Sequence, residues 1–410
     1  MNKQMMEKYA ELIIKKGVNL QEGQVLYVNA PVDGVSFVRL VAERAYEQGA
    51  KEVVINWSDD RLTYLRYKHA NEAVFEHFPE WAKIKQESYA KEGAAFLSIH
   101  STDPDLLQGV DGSRIANANK AAGLALTEFR KILMNDEVQW CVISIPTLAW
   151  AQKVFPEQSE EEAMQSLWEE IIKMVRVDLD DPLSAWDEHN AILKHAYEYL
   201  NEKQYDKLVL TAPGTNLEIG LPVNHIWQGG AAVSQKGIVF NPNLPTEEVF
   251  TMPHKYRVDG TVTSTKPLNY GGNLIDEFTL TFKDGTVVDF TAKQGGETLE
   301  HLLDTDDGAK RIGEIALVPN ESPVSQSGLI FYNTLFDENA SVHIALGKAY
   351  PTNIEGGAQM DEDALDKHGV NDSMVHVDFM VGSAEMNIDG VTKEGQTEQI
   401  FVNGTWAIDL

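Results

Sequence analysis

His376 and Asp378 lie two apart in Met374 to Met380, a segment that otherwise reads as a strand. Alternate side chains of an extended chain leave the same face, so imidazole and carboxylate project together. That pair suits a divalent transition metal such as Zn²⁺, Co²⁺ or Mn²⁺, although the same spacing also describes an ordinary surface pair. The stretch that closes there opens at Phe331 and carries Asp337, Glu338 and His343, then Gly347-Lys348-Ala349-Tyr350-Pro351. Two further polar islands interrupt apolar segments. One is Asn243-Leu244-Pro245-Thr246-Glu247-Glu248-Val249-Phe250-Thr251-Met252-Pro253, the other Gly313-Glu314-Ile315-Ala316-Leu317-Val318-Pro319. Glu314 opens an apolar strand, where a carboxylate needs a partner or a cation to offset desolvation. A solvent-facing strand end is the alternative. Together the islands offer two or three glutamates, two histidines, an aspartate and a tyrosine. Such a set can hold two divalent cations ~3.5–4 Å apart that share a water and polarise a scissile carbonyl.

The elements that must position these residues fall into two textures. Up to about residue 185, helix and strand alternate. Gln24–Val28, Glu52–Asn56, Ala94–Ile99 and Trp140–Ile145 read as strands, and Val35–Gln48, Trp81–Lys91 and Glu160–Val175 as helices. This alternation predicts an α/β domain with a mostly parallel sheet covered by helices. The acidic, proline-containing Asp178–Leu183 marks the boundary, which gives domains 1–186 and 187–410. After a helix over Asp187–Asn201, short strands dominate, and Lys283-Asp284-Gly285 is a hairpin turn because Asp-Gly supplies positive φ. The second domain is therefore α+β, mainly antiparallel, and carries the metal site.

Composition narrows the function. The chain has 410 residues, 43% hydrophobic and 24% charged, an ordinary globular mix. Its net charge of −29 argues against nucleic acid or an anionic membrane as partner. No apolar run is long enough to span a bilayer, and Met1-Asn2-Lys3-Gln4-Met5 does not open a signal peptide, so a cytoplasmic protein is expected. The single cysteine, Cys141, sits in an apolar run and reads as a buried structural thiol. Dinucleotide and P-loop glycine patterns are absent, as are Gly-x-Ser-x-Gly, His-Glu-x-x-His and Cys-x-x-Cys.

Four ordered motifs then carry a resemblance. They are Pro-Thr-Glu-Glu-Val-Phe-Thr-x-Pro (245–253), Gly-Glu-Ile-Ala-Leu-Val-Pro (313–319), Thr-Leu-Phe-Asp-Glu-Asn-Ala (334–340) and His-Val-Asp-Phe-Met-Val-Gly-Ser (376–383). Together they closely resemble the aminopeptidase T/aminopeptidase S (PepS-type) family of bacterial metallo-aminopeptidases, and the likeness covers nearly the whole chain. The resemblance implies a dinuclear site held by Glu248, Glu314, His343, Tyr350, His376 and Asp378. It implies removal of the N-terminal residue from peptides with a free N-terminus, by a metal-bridging hydroxide, in a homodimer. The metals would be Zn²⁺, Co²⁺ or Mn²⁺ rather than Mg²⁺. Glu247 and Glu248 are adjacent, and on a strand only one of them can face the metals. Both remain candidates for the general base. Tyr350 would bind as phenolate, favoured beside a dication, or else sit at the rim with its hydroxyl hydrogen-bonded. Asp337 and Glu338 would orient imidazole N–H groups or simply shape a turn. The other histidines (His69, His77, His100, His189, His195, His225, His254, His301 and His368) are expected outside the metal site, with His254 nearest the first motif. Two rivals stay open: another metal-dependent amide or ester hydrolase, and a non-catalytic metal- or peptide-binding protein.

Overall fold

The structure is a computed structural model that describes residues 2–270 and 273–410. The chain packs as two units. One comprises the residues up to Glu188 together with Ala231–Pro245, the other His189–Gly230 together with Thr246–Leu410.

In the first unit, β1 (Val25–Pro31), β2 (Glu52–Ser58), β3 (Ala95–Ile99) and β4 (Trp140–Ile143) form a parallel sheet in the order β2-β1-β3-β4. Strand–helix alternation produces this arrangement, since parallel neighbours need a crossover between them. The helices are α1 (Lys3–Leu12), α2 (Val35–Glu47), α3 (Asp60–His69), α4 (Glu80–Lys91), α5 (Gly112–Ala125), α6 (Thr127–Met134), α7 (Leu148–Val154) and α8 (Glu160–Met174). Local chemistry fixes several ends. Ser159 and Glu162 form a capping box at the start of α8, satisfying amides that have no intrahelical partner. α2 buries Phe37, Val38, Val41 and Ala45 at helical spacing. The next helix, α9 (Pro182–Lys203), begins at Pro182, a residue tolerated in a first turn, and from His189 onward belongs to the second unit, whose core takes its Leu193, Ala196 and Leu200. The segment 231–245 joins the first unit through backbone bonds: the Asn241 amide donates to the carbonyls of Lys16 and Gly17, and the Val142 amide to that of Pro242. It contains β8 (Ala232–Val233) and β9 (Val239–Phe240), which pair with each other after β5 (Lys207–Ala212), β6 (Thr215–Gly220) and β7 (Gln228–Gly229) have been laid down in the other unit.

The second unit is largely antiparallel. Its later strands are β10 (Val249–Thr251), β11 (Val258–Thr263), β12 (Leu268–Tyr270), β13 (Asn273–Lys283), β14 (Thr286–Gln294), β15 (Ile312–Leu317), β16 (His343–Gly347), β17 (His376–Met380), β18 (Asn387–Val391), β19 (Thr397–Val402) and β20 (Thr405–Trp406). Among the described residues they make a larger sheet ordered β12-β13-β11-β6-β5-β18-β19-β20, with β14 on β13, and a smaller one ordered β17-β16-β15-β10-β7. The β13–β14 hairpin turns at Asp284 (φ +49°) and Gly285 (φ +76°), as Asp-Gly requires. Both sheets and the helix α10 (Gly296–Leu303) share one apolar core. Leu208, Leu217 and Phe278 come from the larger sheet, Ile315, Ile344 and Phe379 from the smaller, and Leu299 and Leu302 from α10. No helix among the described residues is long and apolar enough to cross a membrane.

Candidate metal centre

The smaller sheet has two unlike faces. Along β15, β16 and β17 the residues Ile315, Leu317, Ile344, Leu346 and Phe379 point into the core. Period-two alternation then sends Glu314, His343, Ala345, His376 and Asp378 to the opposite face. The register aligns them: Ala345 pairs with Glu314 on one side and Asp378 on the other, and Gly347 pairs with His376. Cross-strand partners share a face, so the two carboxylates flank the small Ala345 side chain. Gly347 (φ +108°) cannot be replaced without strain, because a Cβ there would lie 2.1 Å from the Val375 carbonyl oxygen. A register irregularity between Ile312 and Glu314 adjusts where the glutamate emerges. Glu248 enters from the residue before β10.

The side chains converge. His343 Nε2 lies 3.2 Å from Glu248 Oε2 and 3.7 Å from Glu314 Oε1. His376 Nε2 lies 3.8 Å from Glu314 Oε2 and 3.5 Å from Asp378 Oδ1. Glu314 thus turns one oxygen to each of two triads, Glu248–Glu314–His343 and Glu314–His376–Asp378. Within each triad the donor atoms lie within 4.8 Å of one another. The other imidazole nitrogens meet backbone carbonyls: His343 Nδ1 is 3.2 Å from Ser341 O, and His376 Nδ1 is 2.7 Å from Lys348 O. Donation of N–H from Nδ1 leaves Nε2 as the lone-pair nitrogen, the arrangement that ligating histidines use. Asp378 Oδ1 is buried and receives no hydrogen bond from the described residues.

Burial makes this charge expensive. Glu248, Glu314 and His343 are 8%, 6% and 1% exposed. Burial, followed by repulsion from Asp378 and Glu248, pushes the Glu314 carboxyl up, despite the opposing pull of His343 and His376. For His343 burial opposes the charge, yet the Glu248 and Glu314 carboxylates outweigh it and hold the imidazole well above its usual range. His376 is likewise carried to about 10, burial being overcome by Asp378. Two further groups feel the same field. Burial and then Glu248 raise the Glu338 carboxyl, and burial and then Glu314 raise the Tyr350 phenol. The Tyr350 ring is 5.1 Å from that of His376. Four carboxylates facing two imidazoles in a largely buried site, with mixed nitrogen and oxygen donors, fit divalent cations and would be poorly balanced without them.

Residues 2–406 match the family described as thermophilic metalloprotease (M29). The chain belongs to that family. Among relatives of this M29 protein, aminopeptidase 2 of Geobacillus stearothermophilus is 60% identical over 99% of this chain and 98% of its own. Aminopeptidase AmpS of Bacillus subtilis is 52% identical over 98% of each. The solved structure of wild-type AmpT from Thermus thermophilus superposes with a TM-score of 0.94 at 41% identity, covering 99% of this chain and all of that one.

The adjacent glutamates of the M29 chain part ways. Glu248 faces His343, whereas Glu247 Oε2 lies 3.6 Å from His189 Nε2. His189 in turn contacts the Thr246 carbonyl at 2.8 Å. Asp337 shapes a turn, its carboxylate accepting from the amides of Phe331 and Asn333. The imidazole N–H positions are filled by carbonyls rather than by Asp337 or Glu338. Glu338 instead joins the charge cluster. Its signal in the sequence was only its place five residues before His343, on no strand. Asn339, unlike Glu338, was not singled out from the sequence. It is fully buried, accepts from the Glu247 amide at 2.6 Å and donates to the Leu335 carbonyl at 2.8 Å, so it ties the first motif to the third.

Proposed function

We propose that this metallo-aminopeptidase works through two divalent cations shared by Glu314, one held with Glu248 and His343, the other with His376 and Asp378. The observation that carries the reading is the division of the Glu314 oxygens between two triads. When bound, the cations would supply Lewis acidity toward a scissile carbonyl and a shared hydroxide as nucleophile. The protein's part is positioning. Ser341 and Lys348 carbonyls lock the imidazoles, and the apolar core behind β15–β17 fixes the strands that present the donors. Tyr350, in the same field, supplies a phenol oxygen to the set. Excess buried carboxylate also favours a substrate's free α-amino group over a blocked one. A carboxylate must take a proton from water and return it to the leaving amine. Glu247, held near His189, and Glu338, beside Glu248, are the two not committed to a triad.

The same reading takes Zn²⁺, Co²⁺ or Mn²⁺ over Mg²⁺, because imidazole donors suit the former, and takes the protein as a cytoplasmic homodimer. The test is release of free amino acid from short peptides by chelator-stripped protein, before and after each metal is restored. Cleavage of free but not N-acetylated peptides, with close to two metal ions bound per chain, is the expected result. One ion per chain at full activity would overturn the dinuclear site.

A further inference from the structure

The first unit holds a cavity of about 460 Å³ that the peptidase reading does not use. It opens over the sheet face bearing Tyr27 and Asn56, where α3, α4 and α5 part. A volume of this order is ordinary for a small-molecule site. Its floor is aromatic: Tyr27 is buried and packs with Tyr89 and Phe96. Tyr67 lines one wall, and Trp81, 70% exposed, stands at the rim.

The charge of the lining is the anomaly. The chain carries 63 Asp and Glu against 34 Lys and Arg. Yet the cavity is lined by Arg66, Lys85 and His77 and by no carboxylate. Neither Arg66 nor Lys85 has an ion-pair partner among the described residues. Arg66 donates to the Val74 carbonyl at 3.4 Å and lies over the Phe75 ring, and Lys85 Nζ sits 5.2 Å from the centre of the Tyr27 ring. The neighbouring Arg114, in contrast, is paired with Glu72. In so acidic a chain, two cations held on aromatic faces and kept clear of carboxylates retain their donors for an incoming anion. Asn56, Gln86 and Asn119 add neutral hydrogen-bonding groups.

We propose that this cavity binds a small planar aromatic anion, its ring against Tyr27, Tyr67 and Trp81 and its carboxylate or phosphate held by Arg66 and Lys85. The anionic group has two sources, and calorimetry on the full-length, metal-loaded protein separates them. The probes are N-acetyl-tryptophan, a carboxylate with no free amine to enter the peptidase site, and adenosine 5′-monophosphate. The neutral controls are N-acetyl-tryptophanamide and adenosine. Saturable binding of either anion is expected, at least about tenfold tighter than its neutral control, and weakened about tenfold in Arg66→Gln and in Lys85→Gln. Both variants should cleave a reference peptide at the parental rate, which also reports that they are folded. The anion that binds names the source. The proposal is overturned if neither anion saturates, if the neutral controls bind as tightly, or if binding survives both substitutions, as binding at the metal centre would.

Discussion

Both units bury ionisable groups, and they treat them differently. In the first unit Cys141 and Asp136 are shifted chiefly by burial itself. Burial alone raises the Cys141 thiol far above its usual range, so it stays neutral and inert. Asp136 is pushed up to about 6 by burial, against a hydrogen bond from Trp140 Nε1 at 3.1 Å. In the second unit the buried groups are mutual. His343 and His376 are held above their usual range, against burial, by the carboxylates they face. A solitary buried group is lost to neutrality, whereas a cluster retains charge and with it the capacity to bind a cation.

The largest effect should come from breaking the cluster at its shared member. Glu314→Gln removes the charge common to both triads while keeping the shape. Turnover should fall by on the order of 10³-fold or more, with metal content reduced and the thermal transition still cooperative. Steady-state kinetics and metal analysis on the same sample check this, and full activity in that variant would take Glu314 out of the ligand set.

Next in size is the frame that holds the cluster. Asn339→Ala removes the acceptor of the Glu247 amide and the donor to Leu335. Leaving those groups unsatisfied should destabilise the fold by about 1–3 kcal/mol. If Asn339 also positions the first motif, kcat should drop more than KM rises. Denaturant titration with a kcat and KM comparison separates the two. A stability loss with unchanged kcat would make Asn339 purely structural.

How much of this was legible follows from the range of the forces involved. Strand–helix alternation and the Asp-Gly turn are local, and the parallel sheet and the β13–β14 hairpin follow from them. His376 and Asp378 sit on one strand, so their shared face could be read directly. The alignment of Glu314, Ala345 and Asp378 could not, because it depends on the register among three strands far apart in sequence and on the irregularity before Glu314. Glu338 opens a three-residue 3-10 helix, Glu338–Ala340, too short for periodicity to point a side chain. Likewise nothing in 231–245 marks its return to the first unit. Those residues reach Lys16 and Val142 through backbone bonds that side-chain identity does not encode.

Solitary groups give the smaller effects, with a definite pH dependence for Asp136. Its folded-state carboxyl titrates near 6, above the unfolded value of 3.8, so the native state binds more protons between those values. Stability therefore falls as pH rises from about 4 to 6 and levels off above. Asp136→Asn removes this dependence and keeps an oxygen for Trp140. It also suits the left-handed backbone at φ +51°, which asparagine tolerates well. Discounted for solvent access, the variant should be more stable by about 1–2 kcal/mol at pH 7, and the advantage should shrink toward zero at pH 4. Thermal melts at the two pH values check the sign, and an equal gain at both would assign it to the backbone alone.

Cys141→Ala should do least. The thiol lies in β4 with its sulfur 3.0 Å from where a Cβ on Gly17 would stand, so it fills space between the strand and the turn after α1. Its loss opens a small cavity, worth about 1 kcal/mol of stability, and peptide turnover should not change. Native protein should also resist alkylation by iodoacetamide until it unfolds, since neither exposure nor a nearby cation favours the thiolate. Fast labelling of the folded enzyme, or loss of turnover in Cys141→Ala, would show that a solitary buried group in the first unit is chemically engaged and would erase the contrast between the two units.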